Sequence, residues 1–262
     1  MRHTMPGCES TGGFGTCGTL AAVTPDDYLT RLKQDGTRLA RVADGHLDAP
    51  VPSCPDWTVL DLVGHVGSIH AWVEGIVRTG AQERVRRARM PADVEPVGWY
   101  EDGLDRLIAT LSEADLEAAV WNWSERDFRV GWWVRRMAQE TAVHRVDGEL
   151  AAGTVTPIDP DLAVDGVDEW VDVIVGPDEA AAIKGDGEII HLHRTDGDDG
   201  WMLRLTPAGL ETSRGHPDDP TSVIRAPASD LLMVLWRRMT REQTIAEGDT
   251  ELLDRFLASV EL

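Results

Sequence analysis

The residues with the clearest capacity for chemistry are a glutamate and a histidine four positions apart, Glu140 and His144. They lie within residues 128–152, where apolar side chains recur with helical spacing. On a helical wheel centred on Met137, both fall inside the apolar stripe, at about 60° and about 20° from its centre. Because an unpaired buried carboxylate is costly, a carboxylate and an imidazole side by side on a core-facing stripe favour a metal site. An ordinary hydrogen bond between neighbouring turns is the alternative.

A third metal ligand has to come from another helix. The helical segment after Thr58 carries two histidines beside its apolar stripe. His65 falls about 60° to one side of the stripe, and His70 falls about 80° to the other. Both reach the interior from the flank, and His65 is the better placed of the two.

The elements that position these residues are predicted to be four helices within residues 24–153. Thr24 and Thr58 each precede an acidic residue by three positions, which is the pattern of an N-terminal capping box. Gly153 is placed to end the fourth helix. Four helices with one longer, arginine-rich connection before Pro96 predict a four-helix bundle.

The chain changes character after a linker at about residues 153–160. We expect a helix at 161–175, strands at 188–194, 201–206 and 222–225, and two closing helices at about 227–239 and 250–260. An Asp- and Gly-rich turn at 196–200 predicts a hairpin between the first two strands. Residues 161–262 are therefore predicted to form a small α+β domain.

The composition excludes several classes of function. The chain has 46 acidic and 25 basic residues, and the formal net charge of −21 argues against partners such as nucleic acid or an anionic membrane. No apolar run approaches the ~20 residues of a membrane span. Residues 1–23 lack the apolar core of a signal peptide, so we expect a disordered tail and a cytoplasmic protein. The 3 cysteines show no C-x-x-C spacing and predict no disulfide framework.

Two segments carry a resemblance to a known family. Residues 54–65 (CPDWTVLDLVGH) and 136–145 (RMAQETAVHR) resemble the mycothiol-dependent maleylpyruvate isomerases, and the likeness continues at 168–170, 191–193 and 228–232. The resemblance implies an α plus α+β protein, with a DinB-like metal-binding four-helix bundle followed by a sterol-carrier-like domain. Carried over by position, it implies His65, Glu140 and His144 as metal ligands, which is the trio that the wheels propose.

The resemblance also implies an enzyme that uses a divalent metal, with Zn²⁺ as the expected ion, and mycothiol as a thiol cosubstrate. Three protein ligands leave a fourth tetrahedral position open, as in catalytic zinc sites. The implied reaction is thiolate addition to a cis-unsaturated keto acid, bond rotation and elimination. A thiol S-transferase acting on reactive electrophiles and a non-catalytic, metal-containing small-molecule binding protein are the alternatives.

Arginines near the end of the chain are candidates for binding a substrate or thiol anion. Arg238 is better placed than Arg237 on the apolar face of the closing helix, and a surface residue that complements the helix dipole is the alternative for each. Asp147 lies next to the ligand face, where it either orients an imidazole or is exposed.

Three further groups are expected to have structural roles. His191 and His193 share one face of a strand, which we expect to be solvated. Cys54 is expected to be a free structural thiol. The tryptophans at 121, 123, 132 and 133 form either an aromatic wall over a pocket or helix-packing contacts, so none is assigned to the site.

Overall fold

A computed structural model describes residues 23–124 and 126–260 of the chain. The predicted disordered tail falls on residues that lie, apart from Val23, outside the described ones. Within the described residues, no helix has both the length and the apolar character that a bilayer span requires.

The N-terminal half consists of four long helices, as predicted. They are α1 (Pro25–Ala43), α2 (Val59–Thr79), α3 (Pro96–Glu113) and α4 (Val130–Ala152). The capping boxes at Thr24 and Thr58 both form, with Asp27 and Asp61 as the reciprocal partners. In the bundle, α1 packs against α4, and α2 packs against α3. The α4 helix is buried on nearly all sides, since 17 of its 23 residues are inaccessible to solvent.

The C-terminal half is an α+β domain built on one mixed sheet. Its helices are α5 (Pro160–Glu169), α6 (Pro177–Ala182), α7 (Ala228–Leu235) and α8 (Thr250–Ser259). Its strands are β1 (Ile189–Arg194), β2 (Gly200–Thr206), β3 (Gly209–Arg214), β4 (Ser222–Ala226) and β5 (Ile245–Gly248), in the spatial order β3-β2-β1-β4-β5. The pair β1–β4 is parallel and the others are antiparallel, so the predicted hairpin β1–β2 forms.

Helix α7 packs against the central strands β1 and β4 of this sheet. Ile190 and Leu192 of β1 are fully buried on the side that α7 covers. The intervening residues His191 and His193 point to the opposite face, as the two-residue period of a strand requires. Helix α5 packs against α7, and a π turn at Trp170–Ile174 continues it.

Two strands, the short helix α6 and one helix end differ from the sequence predictions. Strands β3 and β5 were not predicted, because most of their residues are exposed and they lack a buried apolar alternation. Helix α7 ends at Leu235 rather than near 239. Arg237 adopts a left-handed backbone conformation with φ of 58°, which an α-helix cannot continue through.

The left-handed backbone at Gly153 gives a stability prediction. Its φ is 74°, so the variant Gly153→Ala is expected to lower the free energy of unfolding by about 1–2 kcal/mol. Gly75→Ala is the matched control. It lies inside α2 with no atom within 4 Å of the added Cβ, and it is expected to stabilise by about 0.5–1 kcal/mol. Urea unfolding of both variants measures the two effects, and a stabilised Gly153→Ala variant would contradict the assignment of this helix end.

Candidate metal centre

Three side chains from two helices meet at one end of the bundle. His65 of α2 places its Nε2 atom 3.7 Å from Oε1 of Glu140 on α4. The Nε2 atom of His144, one turn further along α4, lies 3.3 Å from the same oxygen. One potential ligand atom from each residue lies within 4.8 Å of the other two. The structure therefore brings together the trio that the sequence singled out.

The donor set fits a zinc-like ion. Two imidazole nitrogens and one carboxylate oxygen are ligands that zinc takes in catalytic sites. The Nδ1 atom of His144 bonds Oδ2 of Asp147 at 2.8 Å, which leaves Nε2 directed at Glu140. Such a carboxylate partner fixes the orientation of a metal-binding imidazole. Asp147 is fully buried, so of the two alternatives weighed from the sequence the structure shows the orienting contact.

The loop before α2 contributes an aromatic cover. Trp57 directly precedes the capping residue Thr58, and its ring centroid lies 4.7 Å from that of His65 and 6.5 Å from that of His144. Neighbouring Asp56 holds a left-handed backbone conformation with φ of 68°. The capping box and this turn together set where α2 begins and how Trp57 lies over the two imidazoles.

The ionised carboxylate of Glu140 is sustained by a buried arginine. Arg136 lies one turn earlier on α4, is 4% exposed, and contacts both Glu140 and Glu169 of α5. Burial would by itself raise the pKa of Glu140. The charge of Arg136 and the imidazole of His144 outweigh it and hold this pKa well below its usual range. Glu140 is therefore an anion over the whole physiological range of pH.

The pKa of His144 is shifted upward. Burial acts to lower its pKa, but the charge of Glu140 and the hydrogen bond to Asp147 outweigh burial and raise the pKa to about 9. The pKa of Asp147 is lowered strongly despite its burial, because His144 and Arg238 both donate to it. The metal-free centre therefore carries a proton on His144 at neutral pH.

Arg238, the predicted anion-binding residue, reaches this centre from the C-terminal domain. Its Nε and Nη2 atoms donate to the two oxygens of Asp147 at 2.9 and 3.0 Å, and Nη1 donates to the carbonyl of Trp236 at 2.7 Å. Nη2 also donates to Sγ of Cys54 at 3.9 Å, and since a guanidinium has five N–H donors, one remains, at Nη1. Its neighbour Arg237 also lines the pocket, and its guanidinium donates to the carbonyls of Leu257 and Val260.

The three ligands line an open pocket of about 540 Å³. Its walls come from the 53–57 loop, α2, α4 and the 236–238 turn after α7. Cys54 lies in this pocket and forms no disulfide within the described part of the chain. Burial and the charge of Asp147 raise the pKa of its thiol, although Arg238 acts against them. Cys54 is thus a protonated thiol and a poor nucleophile at neutral pH.

A second, aromatic pocket of about 270 Å³ adjoins the first on the other side of Glu140 and Arg136. Trp123 and Trp133, two of the four tryptophans that the sequence analysis grouped, line it together with Trp72 and Trp236. The remaining two, Trp121 and Trp132, make edge-to-face contacts with this wall. The four tryptophans therefore serve both alternatives: they form an aromatic wall of a pocket and they pack against one another between the helices.

Some candidate residues lie elsewhere. His70 is fully buried on the opposite flank of α2, where Nε2 bonds Thr141 at 2.9 Å and burial lowers its pKa to about 3. The expected solvated face at His191 and His193 is wrong, because His191 is 4% exposed and packs against His193 and His216.

Sequence reasoning missed Arg136, Glu169 and Trp57. The spacing of four residues between Arg136 and Glu140 was an available signal for the first of these. Glu169 and Trp57 reach the centre only through tertiary packing, which no local pattern encodes.

The fold and the site together define a four-helix bundle with a candidate metal centre, next to which a second domain supplies part of the pocket wall. The family model described as the mycothiol maleylpyruvate isomerase N-terminal domain matches residues 29–148, and that described as the MDMPI C-terminal domain matches residues 161–255. The chain therefore belongs to the mycothiol maleylpyruvate isomerase family, an enzyme family, as the sequence resemblance predicted.

Solved structures agree with this fold. A crystal structure of the mycothiol-dependent maleylpyruvate isomerase is 13% identical over 87% of this chain and 96% of that chain, with a TM-score of 0.57. A structure of a single-site mutant of an enzyme of the same name gives 12% identity over the same shares and a TM-score of 0.60. Among the curated proteins, none matches the chain. The α plus α+β organisation expected from the sequence is confirmed.

The raised pKa of His144 predicts how metal binding depends on pH. Below about pH 9 the imidazole of the metal-free protein is protonated, and an incoming Zn²⁺ must displace that proton. We expect release of about one proton from this residue at pH 7, and an apparent zinc affinity that rises by about tenfold per pH unit up to pH 9. Calorimetry in buffers of different ionisation enthalpy, with chelator-buffered zinc, measures both quantities. Binding without proton release would contradict the protonated state of His144.

Proposed function

We propose that the chain is a metal-dependent, mycothiol-using enzyme that isomerises a cis-unsaturated keto acid, with His65, Glu140 and His144 as the metal ligands. The observation that carries the proposal is the convergence of these three side chains beside an open pocket, with Asp147 orienting His144. Zn²⁺ is the ion that this donor set favours. A cytoplasmic location, expected from the sequence, is part of the proposal.

The bound ion would hold the mycothiol sulfur as a thiolate at neutral pH and leave one coordination position for it. The chain's own groups prepare that position. Asp147 holds His144 by Nδ1, and Arg136 keeps Glu140 ionised and fixed. Trp57 covers the two imidazoles and limits the access of water to them. These contacts bind and orient; none of them transfers a proton.

The thiolate attacks one carbon of the cis double bond, and the electron pair moves onto the conjugated carbonyl oxygen. The former double bond is then single and rotates. Return of the electron pair expels the thiolate and leaves the trans isomer, so that the thiol is regenerated. The spare Nη1–H donor of Arg238 and its positive charge are proposed to bind the carboxylate or the oxygen that gains charge.

The aromatic pocket favours a second candidate function. Its tryptophan walls offer about 270 Å³ for an apolar group that a small keto acid does not possess. A thiol S-transferase that attaches mycothiol permanently to an apolar electrophile would use this space. The same thiolate begins both reactions, and only the fate of the adduct separates them.

The test compares wild-type protein with His144→Ala for zinc content by mass spectrometry, mycothiol binding by calorimetry and turnover of maleylpyruvate. We expect one zinc at this centre in the wild type, and loss of that zinc, of thiol binding and of turnover together in the variant. His46→Ala is the matched control, because His46 is exposed just after α1 and the imidazole bonds only the carbonyl oxygen of Val42. It is expected to behave as the wild type does.

The product decides between the candidates. A trans keto acid with mycothiol unconsumed supports the isomerase, and a stable thioether with mycothiol consumed one-for-one supports the transferase. Unchanged zinc content in His144→Ala, or thiol turnover that persists without it, would overturn the proposed centre.

The role of Arg238 is tested by Arg238→Lys. Lysine keeps the positive charge beside Asp147 but loses the planar fork and its spare donor. We expect zinc content to stay near that of the wild type, while KM for the keto acid rises about tenfold or more, as loss of a charge-assisted hydrogen bond implies. Arg241→Lys is the matched control, since Arg241 lies three positions further on, pairs with Asp254 and does not line the pocket. An unchanged KM together with lost zinc would assign Arg238 a purely structural part.

A further inference from the structure

The outer face of the sheet carries a cluster of three histidines far along the chain from the bundle's ligands. His191 and His193 alternate on β1, and His216 follows β3 in the connection to β4. Their ring centroids are 5.2–5.3 Å apart in all three pairs, so the rings form a nearly equilateral triangle. One nitrogen from each ring lies within 4.8 Å of the other two.

From this geometry we propose that His191, His193 and His216 form a second metal site, which binds a divalent transition ion such as Zn²⁺ through three imidazole nitrogens. Imidazole is a preferred ligand of zinc and its neighbours in the first transition row. A tetrahedral ion with Zn–N bonds of about 2.0 Å requires ligand nitrogens about 3.3 Å apart. The Nε2 of His191 and the Nδ1 of His216 already lie 3.1 Å apart.

The hydrogen bonds around the cluster fix the orientation of His216. Its Nε2–H donates to the carbonyl oxygen of Asp198 at 3.0 Å, so that Nδ1 accepts from Nε2–H of His191 at 3.1 Å. A bound ion would take the place of that shared proton between the two nitrogens. The Nδ1 of His193 is buried and has no hydrogen-bond partner among the described residues. A buried imidazole nitrogen without a partner is costly, and a metal ion would satisfy it.

The ring of His216 fits against the sheet because the neighbouring position in β2 is a glycine. Gly200 of β2 is the cross-strand neighbour of His193. A Cβ on Gly200 would lie 2.6 Å from Cε1 and 2.7 Å from Nδ1 of His216, which real side chains cannot tolerate. The absence of a side chain at this one position lets His216 lie against the sheet beside the two β1 histidines.

The two β1 histidines lie in a partly buried environment. Burial, followed by the charges of His216 and His193, lowers the pKa of His191 to about 4, and burial likewise lowers the pKa of His193. The nearest cation is Arg225, opposite His193 on β4, and Glu247 of β5 pairs with its Nε at 3.3 Å.

An ion here would join β1 to the connection between β3 and β4. It would hold that connection on the sheet in the way that a structural ion stabilises the folded state by mass action. The site makes no contact with the pocket lining of the bundle centre, so the proposal does not depend on the proposed function.

The test separates the two sites by variants and measures zinc by equilibrium dialysis at pH 7.5 with Co²⁺ absorption as a second probe. Wild-type protein is expected to bind two zinc ions per chain, and His216→Gln is expected to bind one while mycothiol turnover stays unchanged. The double variant His65→Ala/His144→Ala is expected to retain one zinc, which the further change His216→Gln removes. The control variant is His46→Gln, because His46 is exposed and lies outside both clusters. This variant is expected to bind two zinc ions, as the wild type does.

Gly200→Ala provides a test that removes no ligand side chain; the added methyl group would meet the carbonyl oxygen of Gly215 at 2.6 Å as well as the ring of His216. Displacement of His216 by the new methyl group is expected to weaken zinc binding at this site by at least about tenfold. The proposal is overturned if folded wild-type protein and folded His216→Gln bind the same number of zinc ions. If the double variant does not fold, the comparison of wild type with His216→Gln still decides the question.

Discussion

The burial of polar side chains on α4 is the constraint on which the rest of the structure depends. A helix surrounded by protein must give every charged group a partner, because water is not available to solvate it. Arg136 meets this demand with Glu140 and Glu169, and His144 meets it with Asp147. Each of these contacts also fixes a group of the candidate metal centre. Satisfying the buried charges and building the site are therefore the same structural task.

This demand also couples the two domains. Asp147 obtains its second partner, Arg238, from the turn after α7, and Arg136 obtains Glu169 from α5. Arg237 supports the first of these contacts, since its left-handed backbone breaks α7 and redirects the chain toward the pocket. A non-glycine residue held in this conformation indicates that the surrounding packing determines the turn. The C-terminal domain thus acts as a wall of the site, not as an appended module.

Periodicity made much of this predictable. Helical spacing converts sequence position into direction, so Glu140, His144 and His65 could be placed on inward faces before any contact was known. Caps and glycines likewise set the ends of α1, α2 and α4. Contacts that join distant segments could not be foreseen. The Arg136–Glu169 pair spans 33 positions and depends on how α5 packs on α4, while His216 joins the β1 histidines only because β2 leaves room at Gly200. Exposed strands β3 and β5 lacked the alternation by which strands are recognised.

The charge balance of the bundle centre explains why it would hold a thiolate. The carboxylates of Glu140, Asp147 and Glu169 face the guanidiniums of Arg136 and Arg238, which leaves one uncompensated negative charge. In the metal-free state a proton on His144 neutralises it, which is the physical meaning of the raised pKa. A divalent ion held by the three proposed ligands would displace that proton and turn the balance to one positive charge. A bound thiolate would then restore neutrality in a site whose aromatic walls penalise residual charge. A neutral thiol or a water molecule would leave the positive charge uncompensated. The buried ion pairs would therefore favour binding of a thiolate over binding of a neutral ligand.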